Sequence, residues 1–140
     1  MSISVDTQAV PTAKLTWEQA VPKIQQKTIR SCFKGEEGRW FRERMKQLNE
    51  ILSDVPNLME QDGKGDEAIV YLHYFNAMGS GDWWITELNP QTREAFGYAD
   101  LGEAELGYIS IEELVQLPTI ELDLHWKSKT LGEVKRKIRR

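Results

Sequence analysis

Apolar residues follow two different periods along this chain, and the change comes near residue 67. Trp17, Ala20, Val21, Ile24 and Ile29 lie roughly on one helical face, which predicts a helix over residues 17–33. Thr16 is placed to cap it, with Gln19 at the capping-box position. Pro22 lies inside the stretch and predicts a kink or a delayed start. Residues 34–38 are a break. Beyond it Trp40, Phe41, Met45, Leu48, Ile51 and Leu52 recur at spacings of three and four, which predicts a second helix to about residue 54, closed off by Pro56. Arg39, Arg42, Glu43, Lys46 and Glu50 fill its other faces with mixed charge. The run Gln61-Asp62-Gly63-Lys64-Gly65-Asp66 is a loop by its glycines and charges.

From Glu67 onward the apolar period is two. Residues 68–75 read as a strand, with Val70, Leu72 and Tyr74 on one face and Tyr71, His73 and Phe75 on the other. A loop over 77–82 leads to a strand over 83–88, and Pro90 suits the second position of a turn at 89–92. A third strand covers 93–99, where Gly97 signals a bulge or a close backbone approach. Residues 100–107 read as a loop. Ser110 and Glu113 form a capping box for a short helix over 111–117, ended by Pro118. Residues 120–126 alternate as a fourth strand. Thr130 and Glu133 cap a basic C-terminal helix over 130–140.

These elements predict an α+β fold. A small, mainly antiparallel sheet of three to four strands packs against N-terminal helices. The predicted organisation is a flexible arm over 1–13 and a single domain over 14–140, helical at 16–55 and sheet-rich at 67–126. The expected core is Trp40, Phe41, Met45, Leu48, Leu52, Val70, Leu72, Ile85, Phe96, Leu114, Leu122 and Leu124. The short helix 111–117 is expected to cross a sheet edge. A chain of 140 residues can bury such a core without metal or disulfide.

Composition narrows the class. Cys32 is the single cysteine, so no intramolecular disulfide forms and a cytoplasmic location is expected. The N-terminus lacks the charged and apolar regions of a signal peptide, and no apolar run approaches a membrane span. Residues 127–140 carry seven basic residues and one acidic residue. Against an overall charge of −4, that tail leaves −10 on the preceding 126 residues. An acidic body with a basic tail predicts at most weak, non-specific nucleic-acid binding through Lys135, Arg136, Lys137, Arg139 and Arg140.

The C-terminal half resembles a bacterial family catalogued as a domain of unknown function, number 2958. Phe75-Asn76, Gly79-Ser80, Trp83 and Thr86-Glu87-Leu88 carry the likeness. It continues through Phe96-Gly97, Asp100-Leu101-Gly102, Glu105-Leu106-Gly107-Tyr108 and Glu112-Glu113-Leu114. Ile120-Glu121-Leu122-Asp123-Leu124 matches the closing motif, with Leu122 where the family usually has Arg. The resemblance spans roughly residues 70–134 and leaves the N-terminal helices outside. It implies a protein associated with mobile elements and supplies no activity.

Two constellations are candidates for function. Asp82, Trp83, Trp84, Asp100, Glu103 and Glu105 combine acids with adjacent tryptophans. Those tryptophans must point to opposite faces of a strand, so one of them is a candidate for partner contact. With Glu112 and Glu113, the acids could meet a basic protein surface. The other constellation is Glu121, Asp123 and His125 on one strand face, joined by His73. It could hold a divalent metal for acid–base chemistry, or it is simply the solvent face of a half-buried strand. Gly79-Ser80-Gly81-Asp82 reads as a hairpin turn, since no helix follows to cradle a phosphate. The expectation is a non-enzymatic binding protein with a protein partner and no cofactor. The metal-dependent enzyme is the alternative.

Overall fold

The computed structural model describes residues 14–138, so the expected arm at 1–13 and the last two arginines lie outside the described residues. The chain opens with α1 (Trp17–Ala20), where Gln19 Oε1 accepts the Thr16 N–H at 3.1 Å. Helix α2 (Lys23–Cys32) follows directly. Pro22 has no N–H to continue the first ladder and instead stands as the N-cap of the second, so the single kinked helix expected here is two helices. Helix α3 (Gly38–Asp54) buries Met45, Leu48 and Leu52 as its periodicity required. Trp40 departs from the expected core. It is 43% exposed, and its ring lies between Phe41 and His125 on the rim.

The β-rich half holds β1 (Ile69–Val70), β2 (Leu72–Asn76), β3 (Asp82–Leu88), β4 (Glu94–Asp100) and β5 (Ala104–Ser110). Helix α4 (Ile111–Leu114), β6 (Ile120–Leu122), β7 (Lys129–Thr130) and α5 (Leu131–Ile138) complete it. Five strands form one antiparallel sheet in the order β5-β4-β3-β2-β6, and β1 pairs with β7 in a separate two-residue ladder. The class is α+β, with more strands than the sequence pattern suggested.

Three boundaries differ from the sequence reading. The expected loop 100–107 is mostly strand, because β5 is an edge strand whose positions tolerate Glu105 and Gly107. The expected strand 120–126 stops at Leu122. There the Asp123 side chain accepts the His125 N–H at 2.9 Å and turns the chain. The helix at 111–117 is regular only to Leu114. It packs against α1, and the Ser110 hydroxyl accepts the Glu113 N–H as the capping box predicted.

Gly97 does what its position implied. The β3–β4 register slips between Ile85 and Glu87, and Gly97 pairs with Ile85 beside the slip. A Cβ on Gly97 would stand 1.9 Å from the Trp84 carbonyl oxygen, so only glycine fits.

The sheet is covered on both faces. Helices α1–α4 cover one, over Leu72, Tyr74, Ile85, Leu88, Ala95, Ile109 and Leu122. On the other, α5 lays Leu131 and Val134 over Val70 and Trp84. Val70 therefore does not share a core with Leu72 and Tyr74 as the alternation predicted. The chain changes pairing partner at Tyr71, and β1 leaves the main sheet there. Phe96 and Leu124 are half-buried. Tyr74, outside the expected core, is fully buried, and its hydroxyl donates to the Ala20 carbonyl at 2.6 Å. Burial pushes its phenol well above the ordinary range.

Candidate functional site

The sheet face under α5 collects the polar and aromatic residues. Strand pairing sets His73 opposite Trp84, and Trp84 opposite Tyr98. His73 stacks on Trp84 with ring centroids 5.2 Å apart and planes 6° apart. Trp126 closes in at 5.3 Å, with its indole N–H donating to the Val70 carbonyl. Both imidazole nitrogens meet carboxylates: Nε2 lies 2.7 Å from Asp82 Oδ1, and Nδ1 lies 3.2 Å from Asp123 Oδ2. An imidazole can donate to both only when both nitrogens carry hydrogen. His73 is thus a junction tying β2 to β3 and to the end of β6.

Helix α5 divides this face into two clefts. One, of about 410 Å³, lies toward β5, with Met59, Phe96, Leu106, Tyr108 and Leu131 among its lining. The other, of about 400 Å³, lies over His73 and Asp123, with Trp126, Lys127, Lys129 and Lys137 at its walls. Thr130 and Glu133 set the helix between them. The Glu133 carboxylate accepts the Thr130 N–H at 2.9 Å, and this bond, with the Thr130 hydroxyl and the nearby Arg136 charge, holds Glu133 below the usual carboxylate range. Lys135 reaches Asp66 at 2.8 Å and pins the helix across the face.

The wall of the first cleft hangs on a buried polar network. Glu87 is 4% exposed, yet it has no basic partner among the described residues. Its two carboxylate oxygens accept the N–H groups of Met59 and Gln61, each at 2.7 Å. The Gln61 side chain in turn bonds the Thr86 carbonyl and both backbone groups of Ile69. One carboxylate and one amide thereby hold the segment before β1, including Met59 in a left-handed conformation at φ 73°. Every buried side-chain polar atom among the described residues finds a partner.

The sequence candidates separate as follows. Asp82 and Asp100 face each other across β3 and β4, where like charges repel unless held. His73 holds the first, and the second accepts the Gly102 N–H. Trp84 is only 5% exposed beneath α5, and Trp83 is half-buried against the other core. Neither is the open aromatic contact that the pair suggested: α5 covers Trp84, and Trp83 packs partly against the core on the opposite face. Glu103 and Glu105 are exposed at the start of β5. Asp123 alone of the acidic strand face joins His73. Glu121 lies opposite Phe75, and the His125 ring packs on Trp40 at 5.5 Å. Among the described residues, no group of three or more His, Cys, Asp or Glu side chains is arranged to hold a metal ion.

The sequence reading missed the Glu87–Gln61 network, the exposure of Leu106 and Tyr108, and two of the three cleft lysines, Lys127 and Lys129, having named Lys137 with the basic tail. Alternation along 104–108 was the available signal for the exposed pair. The network and the lysines carry no local signal, since residues distant in the chain supply their partners. No helix among the described residues is long and apolar enough to cross a membrane.

No curated protein and no solved structure matches the chain. A family model described as a protein of unknown function (DUF2958) matches residues 44–133, from the middle of α3 to the first turn of α5. That span is longer than the resemblance read from motifs and covers more than half of the chain, so the chain belongs to this family.

Proposed function

We propose that the protein is a non-enzymatic binding module whose protein partner adds an extended segment to the open edge of β5. The observation that carries this reading is the edge itself. β5 ends the sheet, pairs only with β4, and carries no charge from Leu106 to Ser110. Edge strands in soluble proteins are normally blunted by charge, proline or a bulge, and an open one is a template for strand addition. Leu106 is 49% exposed and Tyr108 64% exposed, and both point into the adjoining cleft with Met59 at its mouth. Apolar side chains at alternate positions of an added strand would fill that cleft. Glu103 and Glu105 at the start of β5, with Asp62 at the rim, favour a partner with basic residues near one end of its apolar segment. His73, with both nitrogens on carboxylates, offers no open donor or acceptor to a substrate. A bacterial, mobile-element setting, which rests on the family resemblance, and a cytoplasmic location, which rests on the single cysteine, belong to the same proposal.

The test is capture of partners from the native host with wild-type protein and with Leu106→Lys and Tyr108→Lys, two exposed sites where the fold tolerates charge. Loss of one partner with both variants, together with slowed amide exchange along β5 when that partner is added, supports the reading. A partner held equally by both variants, or β5 amides unchanged on binding, overturns it.

A further inference from the structure

We propose that the second cleft, between α5 and the turn after β6, binds a nucleoside phosphate. The first observation is charge. The cleft is walled by Lys127, Lys129 and Lys137 in a protein whose first 126 residues carry a net −10. Among the described residues Lys127 and Lys137 have no hydrogen-bond or ion-pair partner, whereas Lys135, outside this cleft, is neutralised by Asp66. Lys129 lies over the face of Trp126, at 4.7 Å, and is also near enough to Glu133 to help lower that carboxyl. The single carboxylate in the cleft is Asp123, and both its oxygens are already engaged, one by His73 and one by the His125 N–H. Three lysines against the one carboxylate of the lining leave the cleft with a net positive charge, strongest at Lys127 and Lys137. Lysine ammonium groups suit phosphate as point charges.

The second observation is the lining. Below the lysines the half-buried Trp126 and the exposed His125 present ring surface, with Val134 and Ile138 of α5 on one side, while the buried Trp84 and the half-buried His73 form the floor. A bare inorganic anion would leave that aromatic and aliphatic surface wet. A planar base attached to the phosphate covers it by stacking, which works with any base. The volume of about 400 Å³ is at the lower end of small-ligand sites and suits one nucleotide unit. The unit's source is either a free nucleotide or a single strand threading the cleft. This site lies across α5 from the proposed protein-binding edge, so either can fail without the other.

The test is a fluorescence titration, since Trp84 and Trp126 border the cleft and report its occupancy. The probes are adenosine 5′-triphosphate, adenosine 5′-monophosphate, a short oligothymidylate, inorganic pyrophosphate and an oligoglutamate peptide, each at low and physiological salt. The variants are Lys127→Ala/Lys137→Ala, and Lys46→Ala as a distant exposed-lysine control. Both cleft lysines are exposed, so the fold should persist by circular dichroism; Lys127→Glu alone replaces the double variant if it does not. Saturable binding of the adenine nucleotides, weakened at least about tenfold in the double variant and unchanged in the control, supports the proposal with a free nucleotide as ligand. Tighter binding of the oligothymidylate, weakened in the same way, supports it with a single strand as the source. In that case the slope of log affinity against log salt should also fall by about 0.7 for each lysine removed. Pyrophosphate or oligoglutamate binding as tightly as the nucleotides overturns it. So does no binding at low salt, or binding that the cleft substitutions leave intact.

Discussion

Replacing Glu87 with Gln should destabilise the protein far more than so small a change in shape suggests. The carboxylate accepts two backbone N–H groups at 2.7 Å, from Met59 and Gln61. An amide of the same shape has one oxygen, so it can accept from only one of them and sets an NH2 group against the other. Losing a hydrogen bond to a charged acceptor costs about 1.5–3 kcal/mol, and leaving a buried donor unpaired costs about 1–3 kcal/mol. The Gln61 amide is buried but that of Met59 is only partly so, and water relieves some of the second term. A net loss of about 2–4 kcal/mol remains, which for a chain of this size lowers the melting temperature by about 6–15 °C. Local exchange should show where the loss falls. Protection of the Gln61 amide should drop at least about thirtyfold, because the segment that walls the first cleft loses its anchor. A melting temperature within about 2 °C of wild type, with Gln61 protection unchanged, would refute the reasoning.

Gly97→Ala should lower the denaturation midpoint by the equivalent of about 1–3 kcal/mol, because its methyl group would meet the Trp84 carbonyl at 1.9 Å; an unchanged midpoint would remove the close approach as the reason for glycine there. Burial raises the Tyr74 phenol, so its contribution to stability is complete below the ordinary tyrosine value of about 10 and is lost as pH rises above it. Urea unfolding from pH 8 to 11 should therefore show an alkaline decline that is shallower in Tyr74→Phe, and equal slopes would contradict this. His73→Phe keeps the stack on Trp84 but strands Asp82 and Asp123. Because both acids are part-exposed the loss should be about 1–2 kcal/mol, and a double-mutant cycle with Asp123→Asn should give a coupling above about 0.5 kcal/mol, whereas additive losses would deny the bond.

The sequence carried the fold wherever one local signal decided an element. Capping residues located three helix starts, at Thr16, Ser110 and Thr130. The spacing of Met45, Leu48 and Leu52 located the buried face of α3. Gly97 marked the irregular point of the sheet. The pattern misled where two elements compete for the same residues. β5 looks like a loop because one of its edges has no neighbour, so nothing selects against glutamate and glycine there. Val70 keeps the alternation of Leu72 and Tyr74, but a change of pairing partner at Tyr71 sends it to the opposite core. Trp40 keeps helical spacing with Phe41 and Met45, yet at the start of α3 it lies beyond the sheet that would bury it.

The sites were less legible because the topology assembles them. His73, Asp82 and Asp123 were each recognisable as polar residues in β-rich sequence, but the order β3-β2-β6 alone brings them to one ring. Grouping Glu121, Asp123 and His125 assumed that strand alternation continued to residue 126. It fails one residue past Leu122, when Asp123 turns the chain with its own side chain. The larger effect comes from α5. Its composition suggested a solvated basic tail. Its Leu131 and Val134 instead cover Trp84, and its Lys137 lines one of the two clefts it creates. An eight-residue helix is too short to be stable alone, so the helix exists because its apolar face has somewhere to pack. The same packing that hides Trp84 therefore builds the two concave surfaces beside it.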